Sequence, residues 1–122
     1  MMNLDAYLKS KPIHSPVETE IYHWHNNYIL DSFLVDLALE KCLIKNYTEF
    51  NQITLYLNAQ DLEMIIETIQ NYMTRRFPFK EKTSLEVAKL KWQKALHTFE
   101  NCLNTMDFKN NSLYYYCTLS NE

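Results

Sequence analysis

The chain has 122 residues and not one of them is glycine. Average usage of about 7% would supply roughly eight or nine. Glycine gives a backbone cheap access to positive φ, which tight turns, phosphate loops and helix C-caps need. Its absence excludes a P-loop, a dinucleotide-binding fingerprint, a nucleophile elbow and an EF-hand loop. It also disfavours two-residue hairpins. Asparagine, the next best residue for the left-handed region, occurs 12 times. A chain of this kind is most comfortable as helices joined by Asn-, Pro- and Ser-containing connections. Its apolar content of 47% is enough for one hydrophobic core in a single domain spanning residues 1–122.

Helix signals are plain in three places. Ser15-Pro16-Val17-Glu18 reads as an N-cap, a first-turn proline and a capping box. They predict a first helix over 15–45. One stripe of that helix collects Val17, Ile21, Trp24, Tyr28, Val35, Leu39 and Cys42, at the 100° per residue of a helix. Asn58 predicts a second helix over 58–75, with Leu62, Ile65, Ile66, Ile69, Tyr72 and Met73 on one face. Thr83-Ser84-Leu85-Glu86 is another capping box and opens a third helix over 83–106. Its seam is Leu85, Ala88, Trp92, Ala95, Phe99, Cys102 and Met106. Packing within the chain is the main reading of that seam, and a homodimer through 85–106 is the alternative.

Residues 1–14 read as an arm, extended or loosely helical. Residues 47–57 fit a helical face through Phe50, Ile53 and Leu57 or a strand through the alternation of Ile53, Leu55 and Leu57, and the β-branched and aromatic side chains at 53–56 lean to a short strand. Residues 110–122 form either a strand or a tail, and Leu113 to Leu119 could pair with 52–57. The expected fold is therefore mainly α, a small single-domain bundle of three principal helices. A short two-stranded antiparallel element is its optional addition. The first helix would be central, with the other two on its faces.

Chemistry is sparse. His23 and His25 flank Trp24. On a strand, positions i and i+2 share a face and could chelate together. On the expected helix they diverge by about 200°, so no metal is assigned to them. No Cys-x-x-Cys or HExxH occurs. Asp31 falls within the apolar stripe and would need a buried partner, with His25, a tyrosine hydroxyl or Arg75/Arg76 as candidates. His25 and Asp31 are thus the candidate buried polar network. No catalytic residue and no cofactor is assigned.

The net charge of −3 is uneven. The basic segment Arg75, Arg76, Lys80, Lys82, Lys89, Lys91 and Lys94 is interleaved with Phe77, Phe79 and Trp92, an arrangement that single-stranded nucleic-acid sites use. It is the candidate docking patch. Asp36, Glu40, Glu63 and Glu67 form the candidate acidic interaction face. The three cysteines, with no secretory signal or membrane span in view, point to a reducing cytoplasm. The leading expectation is a small cytoplasmic protein that binds another protein and inhibits it by occlusion, of the immunity-protein, antitoxin or phage-inhibitor type. A nucleic-acid-associated accessory protein using residues 75–94 is the alternative. A helical-bundle enzyme or metal site around His25 and Asp31 is the second alternative.

Overall fold

The computed structural model describes residues 2–49, 51–77 and 85–121. Its elements run β1 (Met2–Pro12), β2 (Thr19–His25), α1 (Tyr28–Glu40), a short 3-10 turn (Tyr47–Glu49), β3 (Thr54–Leu57), α2 (Ala59–Arg76), α3 (Leu85–Thr105) and β4 (Asn111–Asn121). The fold is α+β, not mainly α, and the expected bundle of three principal helices is incorrect. The chain divides into two compact units, 59–106 and the remainder.

The first unit is built on a four-stranded antiparallel sheet of order β2-β1-β4-β3. β1 and β4 pair along their whole lengths, from Met2↔Asn121 to Pro12↔Asn111. The pairing of 113–116 with 54–57 is present, but as one edge of this larger sheet. Residues 1–14, expected as an arm, supply a central strand instead. Their alternation explains it. Leu4, Ala6 and Leu8 are buried on one face, while Asp5, Tyr7 and Lys9 take the other.

The expected helix over 15–45 does not exist. Its first half is β2, and only 28–40 is helical. Ser15 uses the chemistry of an N-cap, but in a turn: its Oγ accepts a hydrogen bond from the Val17 amide at 3.2 Å. Thr19, Ile21, Tyr22 and Trp24 have the strand-favouring side chains. Val17 and Tyr28, placed on the buried stripe by helical spacing, are 66% and 53% exposed. Ile21 is the extra residue where the β1–β2 register shifts, since Leu8 pairs with Tyr22 and Lys9 with Glu20. Without a central helix, α2 and α3 have nothing of that kind to flank. They pack on each other in the second unit, the Tyr72 and Trp92 rings 4.6 Å apart.

The lack of glycine is met in two ways. The β1–β2 connection is long, residues 13–18, and contains no positive φ. Elsewhere among the described residues Asn26, Cys42 and Gln52 take φ of 52°, 61° and 56°. Cys42 ends α1 in the position glycine usually fills. Its amide donates to Leu39 O and the Leu43 amide to Ala38 O, the paired bonds of a Schellman cap. A side chain in the left-handed region costs about 1–2 kcal/mol. Cys42→Gly is therefore expected to raise the unfolding free energy by about 1 kcal/mol in urea titrations, after the added chain entropy is subtracted. Cys42→Ala, which keeps a Cβ, should stay within about 0.5 kcal/mol of the parent. Equal effects for the two variants would contradict strain at this position.

Candidate functional sites on the two faces of the sheet

β2 sends Trp24 into the core and its two histidines to the other face, because strand side chains alternate. On the inner side Asp31, in the first turn of α1 and 2% exposed, meets two donors. Trp24 Nε1–H donates to its Oδ1 at 3.0 Å and the Tyr115 hydroxyl donates to the same oxygen at 2.6 Å. Ala6, between Trp24 and Cys117 in the ladder, leaves room for the indole to lie 5.7 Å from the Tyr115 ring. Cys117 lies two residues along β4 from Tyr115 on the same buried face. Asp31 Oδ2 is buried with no partner. Burial lifts the Asp31 carboxyl to about 6, against the opposing pull of its two hydrogen bonds. Burial, with the Asp31 charge beside it, drives the Tyr115 phenol far above its usual range. Burial also pushes up the thiols of Cys117 and Cys102.

The polar network thus joins Asp31 to Trp24 and Tyr115, not to His25. His25 lies on the outer face with His23. Both imidazoles contact one carboxylate oxygen: His25 Nδ1 is 2.9 Å and His23 Nε2 3.1 Å from Asp5 Oδ1. These bonds, His25 first and then His23, hold the Asp5 carboxyl below its usual range. The geometric reason for separating the two histidines, a helix at 23–25, is incorrect. Even so, no group of three or more His, Cys, Asp and Glu among the described residues could hold a metal ion as arranged.

Beside the histidines runs an aromatic row. Tyr7 stacks on His23, with centroids 4.6 Å apart and planes 11° from parallel. Lys9 Nζ lies 5.2 Å from the Tyr7 centroid and 5.8 Å from that of Tyr116. Tyr114 and Tyr56 continue the face with rings 5.7 Å apart. Asp5, Tyr7, Asn26 and Tyr116 were not singled out from sequence. The signal that could have found them is the alternation of residues 4–9, which sets Asp5 and Tyr7 opposite the apolar side.

The charged candidates scatter. Asp36 and Glu40 are exposed one turn apart on α1, and the Tyr47 hydroxyl donates to Asp36 at 2.9 Å. Glu63 and Glu67 are exposed one turn apart on α2, in the other unit. Arg75 and Arg76 are exposed at the end of α2, while Lys91 and Lys94 are exposed and Lys89 half-buried on α3. Lys80 and Lys82 lie outside the described residues. Trp92 is 7% exposed, so it offers no open ring for stacking.

Asp31 carries a pH dependence with a definite sign. Its folded value, about 6, exceeds the ordinary carboxyl value of 3.8, so the folded state binds the proton more tightly. The stabilisation is complete below the unfolded value and is lost as pH rises through the folded one. The span corresponds to about 3 kcal/mol at about 1.4 kcal/mol per pH unit. Asp31→Asn has no proton to lose and keeps an acceptor for Trp24 and Tyr115. Its unfolding free energy relative to the parent should improve by about 2–3 kcal/mol between about pH 4 and about pH 7. Parallel urea-stability profiles for the two proteins would show that Asp31 does not titrate across folding.

No helix among the described residues is long and apolar enough to cross a membrane. Compared with known proteins, the chain matches no protein-family model, no curated protein and no solved structure.

Proposed function

We propose that the chain is a small cytoplasmic protein that binds another protein through the outer face of its sheet and inhibits it by occlusion. The observation that carries this reading is the row of His23, Tyr7 and Tyr116, with Lys9 set over two of the rings and the exposed Tyr56 beside it against the buried Tyr114. Tyrosines are frequent anchors of protein interfaces, because they offer large contact area and a hydroxyl at small conformational-entropy loss. Here they stand on paired strands, which fixes their positions before any partner arrives. His23 and Tyr56 are exposed, and Tyr7, Lys9 and Tyr116 half-buried. The free thiols of Cys42, Cys102 and Cys117 accord with a reducing compartment.

The alternative, nucleic-acid docking on the basic segment, draws on the exposed Arg75, Arg76, Lys91 and Lys94. One comparison separates the two. The tagged chain is used to recover a partner from its own cells, and the affinity of that purified partner is then measured. Tyr7→Ala and Tyr116→Ala should each weaken binding at least about tenfold. Lys91→Ala/Lys94→Ala should leave it within about twofold. A partner lost with the lysines and kept with the tyrosine variants would overturn the sheet-face reading.

A further inference from the structure

Asn26 follows β2 directly and holds a left-handed backbone, φ 52°. Its amide N–H donates to Leu4 O at 2.8 Å, and its side-chain oxygen accepts from the Leu4 N–H at 2.7 Å and from the Tyr28 hydroxyl at 3.1 Å. One residue therefore fastens the β2–α1 corner to β1. Those two donors identify the oxygen, so the other terminal atom of the side chain is the NH2 group. It lies 3.3 Å from Asn3 Oδ1 and 3.0 Å from His25 Nε2. Since NH2 only donates, His25 Nε2 must accept. The ring proton then sits on Nδ1 and goes to Asp5 Oδ1 at 2.9 Å. This arrangement of donors and acceptors fits one tautomer of the His25 ring, with its hydrogen on Nδ1.

We infer that His25 and Asn26 form a proton-operated latch on the corner between β2 and α1. A second proton on His25 enters at Nε2 and sets N–H against N–H. The Asn26 carboxamide has two ways out, to swing off the ring or to turn over and present its oxygen. Either way Leu4 N–H loses its acceptor, and the corner loosens from β1. The bond to Asp5 survives, since Nδ1 still donates. The charged and titratable groups sharing this face are Asp5, Tyr7, Lys9 and Lys11 of β1, His23 and Glu20 of β2, Tyr114 and Tyr116 of β4 and Tyr56 of β3, with Tyr28 of α1 at the corner. Among the described residues Asp5 is the one ionised group hydrogen-bonded to His25. When both histidines charge, the trio with Asp5 passes from one net negative to one net positive charge.

The test uses the full chain and NMR, from about pH 7.5 down to about pH 5, the span over which imidazoles exchange their proton. At the upper end the His25 ring nitrogens should report the Nδ1–H tautomer. On acidification the Leu4 amide and the Asn26 side-chain amide should shift along the His25 titration curve. Solvent exchange of the Leu4 amide, corrected for its intrinsic rate, should rise about tenfold, the scale of one lost hydrogen bond. His25→Gln offers Asn26 an oxygen and Asp5 an N–H, and neither titrates, so its Leu4 amide should stay protected. His23→Gln should keep the response. A Leu4 response that persists in His25→Gln overturns the latch. So does a Leu4 amide indifferent to His25 protonation, or an Nε2–H tautomer at neutral pH, a result that needs no variant.

Discussion

The ladder between β1 and β4 carries the sheet unit. β2 hangs on the free side of β1 and β3 on the free side of β4, so neither outer strand has a place without the central pair. The ladder also fixes which residues share a face. Ala6 stands beside Cys117 and Leu8 beside Tyr115, while Tyr7 stands beside Tyr116 and Asp5 beside Thr118. The groupings on both faces of the central pair follow from that register, because strand side chains alternate, and β2 changes phase once, at the Ile21 bulge.

The two faces put the same strands to different uses. Inside, α1 lowers one carboxylate onto an indole and a phenol, and its second oxygen goes without a partner. Outside, a second carboxylate collects two imidazoles and an aromatic row runs on from them. β2 serves both through three consecutive residues, His23, Trp24 and His25. Asn26 then turns the chain into α1, and Asn27 caps that helix by accepting from the Leu30 amide at 3.1 Å. Polar side chains that glycine-rich sequences would not need are thus concentrated at one corner.

Helical periodicity was readable where it was uninterrupted. The stripes of 62–73 and 88–102 correspond to α2 and α3, and the β-branched run at 53–57 to β3. The strands β1 and β2 were obscured for different reasons. In β1 the alternating pattern is present but short of β-branched residues, so the segment resembles an arm. In β2 the spacing of Ile21, Trp24 and Tyr28 happens to fit three- and four-residue steps, and a serine–proline turn ahead of it imitates a helix start. The absence of glycine disfavours two-residue hairpins, yet a six-residue connection needs no positive φ. Asp31 could be picked out as an acid on an apolar helical stripe. Its phenol partner, 84 positions away, could not, because local patterns do not carry pairing across the chain. The histidine pair was misjudged through the strand beneath it.

Asp31 also bears on how the sheet avoids misalignment. Tyr114, Tyr115 and Tyr116 are consecutive in β4, and identical neighbours discriminate poorly between alignments. A slip by one residue would turn Ser112 and Thr118 inward and Leu113 and Cys117 out to the other face. A slip by two keeps the faces but brings Leu113 or Cys117 under α1 in place of Tyr115, and the carboxylate would lose its phenol. The acid in the core therefore works as a key for a lock cut three times alike. It destabilises the native fold at neutral pH and penalises a slip by two, while a slip by one, which would bring Tyr114 or Tyr116 to the carboxylate, is opposed by the inversion of the faces.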